Sequence, residues 1–579
     1  MTDVTDRSDL DRPQGSGGAA PAADIWFVRE AFTEEERAVL APHFTDLDGP
    51  VFALVNLPEV VKGALFARYS RSAKSLRRLF LDEFAEAAMG SSEVVGVRRA
   101  EELYQRIFLE YGDDSVAQLG GVHLACEQAS QPLAKVLEWG RLAAYLEQST
   151  RYVPYDDRPG GRFRYVVPPE VENEPELAEE YRRVQDAAFE AYARWLGPLQ
   201  DLYRSWFPKD PADSDFVYRS SIRARACDTL RGLLPAATRT NVGIYATGQA
   251  YEQLLLRMRA TPLAEVRAYA DMMLGELRKV IPAFLVRVDR PDRGGEWSAY
   301  LSETREETRR VAGEVLGAPD ALDTGGAHGQ AGVEVDLTDF DPEGETKVVG
   351  AAMYAANEAL GDRELLERAR FMSTADRDRV LRAYVGDRNN RRHKPGRAFE
   401  RTSYRFDVLC DYGAFRDLQR HRLLTIEWQP LSPMHGTAVP GELSELPGAV
   451  EDWHSVMAAS AGLHRRLADA GLGEAGQYAV AMAYRVRFVM EMNAREAMHL
   501  IELRSAPQGH PTYRRVAQRM HELIGEVHPR IAAAMSFADH SPVELGRLAA
   551  ERRSEAKRRE LDAAADPSPA ADPPPGSEP

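Results

Sequence analysis

The stretch DLQRHRLLTIEWQPLS, residues 417–432, sets Arg420, His421 and Arg422 side by side and then runs apolar. Burying three adjacent cation-capable side chains ahead of Leu423, Leu424 and Ile426 is costly without an anion. A guanidinium fork is shaped for phosphate or for an anionic ring, so the cluster points to a phosphate-bearing ligand. A solvated basic turn paired with neighbouring acids is the competing reading. A second constellation is NAREAMHLIELR, 493–504. If helical, it places Arg495 and His499 four apart on one face, with Asn493 and Arg504 spaced along the axis. A third is EQSTRY, 147–152, in which Glu147, Ser149 and Arg151 alternate. In an extended segment they point to one side and offer an acceptor, a hydroxyl and a guanidinium. The latter two also read as an amphipathic helix with a polar edge and as a surface strand. Cys126, Cys227 and Cys410 lie far apart and match no metal or disulfide spacing. They suit a reducing cytoplasm, and none has an obvious partner to activate it as a nucleophile.

These residues need elements to hold them. ETKVVGAAMYAANEAL (345–360) carries apolar residues at helical spacing. RVRFVMEMNAREAMHLIELR (485–504) does too, with Phe488, Met492, Ala497 and Leu500 on one expected buried face. TSYRFDVLCDY (402–412) sets Tyr404, Phe406 and Val408 against Arg405 and Asp407, a strand alternation. FRYVVPP (163–169) ends in prolines and reads extended. The expected class is α+β, helices packed on a sheet, and 579 residues suggest several domains.

Three weak regions divide the chain. Residues 1–24 and 561–579 are rich in Pro, Ala, Gly and Asp and read as disordered ends. Gly and Asp clusters at 317–337 read as part of a linker. The expected organisation is a first repeat over 25–300, a linker over 301–340 and a second repeat over 341–560. Similar pairs recur in the same order in both halves: 60–70 with 348–358, 122–149 with 404–429, and 238–260 with 484–506. The shared order points to a duplication.

Composition narrows the function. A net charge of −17 argues against nucleic acid or an anionic membrane as the main partner. The N-terminus has no apolar signal region, and no apolar run approaches the roughly 20 residues that span a bilayer. A cytoplasmic protein is expected, with a local basic pocket for a small anion.

RLAAYLEQSTRYV (141–153) resembles the end of the signature of the flavin-dependent thymidylate synthase family, and QRHR (419–422) resembles its beginning. MNAREAMHLIELR resembles the family's later helix, DTLRGLLPAATRTN (228–241) the segment ahead of that helix, and GDDSVAQ (112–118) its His-His-Ser-Val element. The departures are complementary. The first half has Trp139-Gly140-Arg141 in place of Arg-His-Arg and Thr247-Gly248-Gln249 in place of Asn-Ala-Arg, but keeps Glu147, Ser149, Arg151 and Arg231. The second half keeps Arg420, His421, Arg422, Asn493, Arg495 and Arg504, but has Pro430 where the signature serine belongs and Gln477 where the early arginine belongs. Asp417 replaces a family glutamine that contacts uracil, and Asp113 replaces a histidine.

The resemblance implies two repeated domains of this family in one chain, sharing a composite site. It implies dUMP, FAD, NADPH and methylenetetrahydrofolate, no metal, and dTMP as product. Glu147, Ser149, Arg151, Arg231, Arg420 and Arg504 would hold dUMP, with Arg504 stabilising the uracil anion. Arg420, His421, Arg422, Asn493, Arg495, His499 and Ser115 would hold FAD. A homodimer would imitate the family's tetramer. A related flavoenzyme acting on another pyrimidine nucleotide, or a non-catalytic nucleotide-binding scaffold, are the alternatives.

Overall fold

A computed structural model describes residues 26–57, 65–66, 68–69, 72–83, 122–211, 213–280, 285, 288–317 and 334–542, together with 548, 551–553 and 555–556. The segments expected to be disordered, 1–24 and 561–579, and the GDDSVAQ element with Ser115 lie outside these residues.

The described residues form two four-stranded sheets, antiparallel throughout. The first contains β1 (Val51–Ala53), β2 (Val122–Ala129), β3 (Ala143–Glu147) and β4 (Thr240–Ala246), in the order β1-β2-β4-β3. The second contains β5 (Glu334–Phe340), β6 (Ser403–Asp411), β7 (Leu424–Trp428) and β8 (Arg485–Asn493), in the order β5-β6-β8-β7. The two orders are the same. So are the junctions that follow the central strands. Helix α1 (Gln131–Leu137) leaves β2 behind an N-cap at Ser130. Then come α2 (Pro175–Trp206), α3 (Asp215–Leu230), α4 (Gly248–Arg259) behind the N-cap Thr247, and α5 (Ala264–Val280). The segment expected to be a linker, 301–340, carries most of an exposed helix, α6 (Glu296–Leu316), and all of β5. In the second half α7 (Gly344–Tyr354) precedes β6, α8 (Tyr412–Leu418) leaves β6 behind the N-cap Asp411, and α9 (Ala449–Asp469) follows β7. Helix α10 (Ala494–Arg504) leaves β8 behind the N-cap Asn493, and α11 (Pro511–Val527) packs on it. Each cap side chain accepts a backbone N–H of the first turn, which fixes where strand becomes helix.

Two sequence expectations are corrected. The segment 485–504 is not one helix: 485–493 is the central strand β8, and only 494–504 is helical. Buried Phe488 and Met492 are four apart, which fits a strand's period of two as well as a helix. Met490, also buried between them, belongs only to the strand pattern. EQSTRY does not stay extended. Strand β3 ends at Glu147, and the N–H groups of Tyr152 and Val153 fold back onto the Ser149 carbonyl, both at 3.2 Å. TSYRFDVLCDY is a strand as expected, and FRYVVPP is non-helical as far as Pro168, with Tyr165 bridged to Thr238, while Pro169 opens a short helix, Pro169–Glu172.

The halves share one core. Equivalent segments pair across it: Ala236 N–H donates to the Val480 carbonyl at 2.7 Å, Met482 N–H to Leu234 at 2.9 Å, and Ala483 N–H to Gly232 at 3.0 Å. Helix α2 packs on its counterpart α9, where the Trp195 indole N–H donates to Asp452 at 2.9 Å. Buried Glu265 of α5 accepts from Ser130 Oγ at 2.5 Å and from Tyr478 of the other half at 2.7 Å. The sheets differ on their outer faces. A cluster including Phe44, Phe52, Phe66, Tyr69 and Phe80 covers the first. The second sets ion pairs there instead, Arg405–Glu491 at 2.9 Å and Arg487–Asp407 at 3.0 Å. Among the described residues no helix is long and apolar enough to cross a membrane.

Candidate functional site

The end of β3 in the first half meets the turn after α8 in the second. Glu147 is buried there and accepts from Arg420 Nη2 at 2.7 Å and from Arg416 Nη2. Arg416 also donates to Thr150 Oγ1 at 3.2 Å. Asp411 caps α8 through Ala414 N–H at 2.9 Å, which fixes the helix that carries Arg416, Asp417 and the turn with Arg420. Burial opposes the charge on Glu147, but Arg416 and Arg420 outweigh it and hold the carboxylate below its ordinary range. Its neighbour Glu138 is pushed up to about 8, first by burial and then by the Glu147 charge.

Asp417 sits among three guanidiniums, 3.7 Å from Arg504, 3.9 Å from Arg231 and 4.0 Å from Arg420. Burial disfavours its charge, but Arg420, Arg504, Arg151 and Arg231 together keep it ionised. Arg231 packs on α8 only because residue 413 is glycine: a Cβ there would lie 2.7 Å from Arg231 Nε. Arg231 Nη2 is buried and has no hydrogen-bond partner. Arg151 is held by Asp228 at 2.7 and 2.8 Å and by the Tyr513 hydroxyl at 3.1 Å. Arg504 lies over the same Tyr513 ring, 5.6 Å from its centroid.

The second wall is α10. Arg504 Nε donates to His421 Nε2 at 3.0 Å, so that nitrogen is unprotonated. The His421 proton is therefore on Nδ1, facing Glu496 Oε1 at 2.9 Å. Burial, then the charges of Arg504 and Lys394, keep this imidazole neutral. His499 meets His421 edge-on at 5.3 Å, contacts Lys394 through Nδ1, and is pushed down to about 3, mainly by burial. His421, Glu496 and His499 present ligand-type atoms within 4.8 Å of one another. Arg504 and Lys394 already take ring nitrogens there, and that positive surrounding favours an anion over a metal ion.

Of the sequence-predicted residues, Glu147, Arg151, Arg231, Arg420, His421, His499 and Arg504 belong to this connected region. Ser149 lies in the adjoining turn, its Oγ accepting Arg151 N–H at 3.2 Å. Arg422 donates across to the Ala143 carbonyl of the first half. Asn493 spends its side chain on the α10 cap, accepting Glu496 N–H at 2.9 Å. Arg495 points to the 393–399 loop, donating to the Pro395 carbonyl at 2.9 Å and pairing with Glu400 at 3.5 Å. Sequence reasoning passed over Arg416, Asp228, Glu138 and Glu496. Glu496 carried a signal, an acid three residues after an N-cap asparagine; Asp228, three before Arg231, carried none.

The counterpart of this site is filled. Trp139 stands where the second half has Arg420, and Trp428 where the first half has Glu147. Their rings meet edge-on at 5.2 Å, and the Trp139 indole N–H donates to the Ile426 carbonyl at 3.2 Å. Lys135 lies over the Trp428 ring at 5.1 Å, and burial pushes its amine down to about 7. One pairing of the halves thus builds a charged site and the other an aromatic plug.

Two sheets of one topology, joined at a buried arginine–carboxylate cluster drawn from both halves, define a chain of two like domains that complete one site between them. The family described as "Thymidylate synthase complementing protein" matches residues 63–283 and 336–530, and the chain belongs to it. A "UPF0159 protein" of Chlamydia muridarum is 37% identical over 537 residues, covering 91% of this chain and 99% of its own. A "UPF0159 protein" of Thermoplasma acidophilum is 32% identical, covering 86% of this chain and 99% of its own. A "Flavin-dependent thymidylate synthase" of Clostridium tetani is 25% identical over 181 residues, 31% of this chain and 67% of its own. Among solved structures, a UMP/dUMP methylase from Streptomyces cacaoi bound with 5-Br dUMP is similar with a TM-score of 0.29 and 20% identity, over 37% of this chain and 99% of its own.

Proposed function

We propose that the chain is a flavin-dependent thymidylate synthase that converts dUMP to dTMP with FAD, NADPH and methylenetetrahydrofolate, at one composite site per chain. The observation that carries this is Glu147 of one half clasped by Arg416 and Arg420 of the other, while the equivalent pairing is closed by Trp139 and Trp428. Random decay would not be expected to keep both sides of one pairing while closing the other. The relatives named as flavin-dependent thymidylate synthases support the cofactor at family level.

The donor set fits anionic ligands. Arg151, Arg231, Arg420 and Arg504 converge on Asp417, and one buried Arg231 nitrogen lacks an acceptor. Arg151, Arg231 and Ser149 would take the dUMP phosphate, for which a guanidinium fork is suited. Arg504 would face the uracil N3/O2 edge, and its positive charge there favours the ring anion and so a more nucleophilic C5. Neutral His421 orients Arg504 by accepting its Nε–H and donates its own Nδ1–H to Glu496, while Asp417 lies 3.7 Å from Arg504 Nη1. Glu147 fixes Arg420 between the nucleotide and the flavin side. Arg420, Arg422, His421 and His499 with Lys394, Asn493 and Arg495 at the head of α10, and Ser115, would hold FAD. FAD held by these residues would supply the hydride chemistry, with NADPH as reductant and methylenetetrahydrofolate as the one-carbon donor.

Asp417 favours a second reading, a related flavoenzyme for another pyrimidine nucleotide, because an ionised carboxylate only accepts hydrogen bonds and cannot donate to uracil O4. Tritium release from dUMP labelled at C5 separates the two. Release that requires FAD, NADPH and methylenetetrahydrofolate is expected; none under those conditions would sink thymidylate synthesis.

A further inference from the structure

Gln148 sits between Glu147 and Ser149, two first-half residues that the proposed site uses, and its polar groups are held from behind. It is 3% exposed. Its N–H donates to the Asn241 carbonyl at 2.8 Å, and its carbonyl accepts Thr240 Oγ1 at 3.2 Å. Its side-chain Oε1 accepts Asn241 Nδ2 at 3.2 Å, and its Nε2 donates to the Ser72 carbonyl. A residue fixed at backbone and amide alike cannot turn about the chain axis, so it sets the directions in which its two neighbours point.

Asn241 is fixed in turn. Its Oδ1 accepts the Gln128 N–H at 2.8 Å. Gln128 belongs to a bulge: β2 and β4 keep register from Val122 to Cys126, then Glu127 and Gln128 together face Asn241 before Ala129 pairs with Thr240. Gln128 has a φ of 59°, in the left-handed region that a residue with a Cβ rarely enters. A bulge bends its strand and re-aims the groups it carries, often beside a functional site. This one brings the Gln128 N–H onto the Asn241 side chain. Backbone strain persists only where surrounding contacts impose it, and residues 26–28 supply them. Gln128 Oε1 accepts Val28 N–H at 2.8 Å, and Gln128 Nε2 donates to the Val28 carbonyl at 2.7 Å. Arg239 donates to Gln128 Oε1 at 3.0 Å and to the Trp26 carbonyl at 3.2 Å, and its guanidinium lies 4.5 Å from the Trp26 ring centroid.

The second half differs at each of these points. Gln429 N–H donates to the Arg487 carbonyl at 3.0 Å, as Gln148 N–H does to Asn241. There β6 and β8 pair in unbroken register from Ser403 to Asp411, and the side chain in the Asn241 position is Arg487, which pairs with Asp407 at 3.0 Å. The bulge and its amide contacts thus occur in the half that keeps Glu147 and Ser149, while the half with Trp428 and Pro430 has continuous pairing.

We propose that Gln128, Asn241 and Gln148 are positioning residues: an amide relay, clamped by the Trp26–Val28 strap, that aims Glu147 and Ser149 into the composite site. The aiming role rests on the reading that those two residues serve a nucleotide; the relay itself does not.

Two measurements on the full chain separate the relay from that reading. Hydrogen exchange followed by mass spectrometry reports the 148–153 turn, whose Tyr152 and Val153 N–H groups bond to the Ser149 carbonyl, with β8 of the other sheet as reference. Asn241→Leu keeps the shape and removes both amide contacts. It should speed exchange in the turn about tenfold, the effect of about one lost hydrogen bond, and leave β8 unchanged. Trp26→Ala, at a ring that is 46% exposed, should act in the same direction through Gln128. In tritium release from C5-labelled dUMP, both variants should raise KM more than they lower kcat, because binding geometry is what they loosen. Unchanged exchange in the turn of either variant overturns the relay. So does exchange that rises equally in β8, which would mean a general loss of stability. Faster exchange confined to the turn, in a protein whose wild type releases no tritium, supports the relay and removes the nucleotide reading. Tritium release by the wild type, with a KM that stays put while the turn exchanges faster, overturns the positioning role.

Discussion

Glu147→Gln removes one charge from the centre of the proposed site and little volume. Glu147 is 1% exposed and its partner Arg416 8%, so neither is screened by water. Stranding one member of such a pair costs about 3–5 kcal/mol. Glutamine can still accept one bond from a guanidinium, worth about 1.5 kcal/mol, which brings the expected loss to about 1.5–3.5 kcal/mol. Arg420 is 34% exposed and adds little, as exposed pairs are worth about 0–1 kcal/mol. The loss should also depend on pH. Glu138 is pushed up to about 8 by burial and by Glu147, above its unfolded value. Its contribution to wild-type stability is therefore full in acid and lost as pH rises toward 8. Without the Glu147 charge Glu138 ionises more readily beside Arg416 and Arg420, so the variant escapes part of that decline. The gap between wild type and Glu147→Gln should narrow between pH 6 and 8, by at most about 1.4 kcal/mol per pH unit for one proton. Urea unfolding followed by far-ultraviolet circular dichroism measures both quantities. A loss under about 0.5 kcal/mol at pH 6, or a gap that does not narrow by pH 8, would refute the buried pairing.

Ser149→Ala and Arg504→Ala, in different halves, should each lower tritium release from C5-labelled dUMP by about 10²-fold or more, whereas Pro430→Ser should leave it within about twofold. Full activity of Ser149→Ala would break the division of the site. The holoprotein should carry one FAD per chain by its 450 nm absorbance, because Trp139 and Trp428 occupy the other pairing; two per chain would contradict the plug. His421 and His499 are held neutral, chiefly by burial, below their unfolded values. Their contribution is present above about pH 6.5 and lost on acidification below it. His499→Gln should flatten the stability slope between pH 6 and 5 by up to about 1.4 kcal/mol per unit, and an unchanged slope would mean His499 is already protonated in the fold.

Much of the fold was legible where polar and apolar residues alternate without competition. TSYRFDVLCDY has charges on its outward positions and could only be a strand, and the order of the repeated segments foretold two sheets of one topology. The segment 485–504 was not legible, because buried residues four apart serve both periods and only the cap at Asn493 marks the change. In the site, positions 147, 151, 231, 420, 421 and 504 were brought together by the resemblance to the family, since residue type alone left them as separate constellations. Arg416 and Asp228 were hidden because a charged residue inside an ordinary helix carries no local sign of burial. Arg416 became visible only as a partner across the interface between halves, 266 positions from Thr150, and Asp228 only as the partner of Arg151, 77 positions away in the same half.

The halves have diverged in opposite directions from one topology, and the physical chemistry of each pairing explains why both persist. Arg416 and Glu147 form a site whose charges need each other: replacing either alone strands the other in a buried setting. Trp139 and Trp428 form a contact that needs no ligand, with the indole N–H satisfied by a carbonyl and two rings packed edge to face. A ligand site is open to solvent exchange and adds little packing when empty, whereas the plug adds it permanently. Converting one of two equivalent pairings into packing therefore stabilises the joint between the halves without touching the other. It follows that Trp428→Glu, which restores the family residue on that side, should destabilise the chain by the loss of the edge-to-face contact with Trp139 and gain no activity, since Trp139 and Gly140 offer it no guanidinium and the cation beside it is the Lys135 amine. A Trp428→Glu chain with increased dTMP formation would show that the second pairing is still competent and that the division of labour between the halves is incomplete.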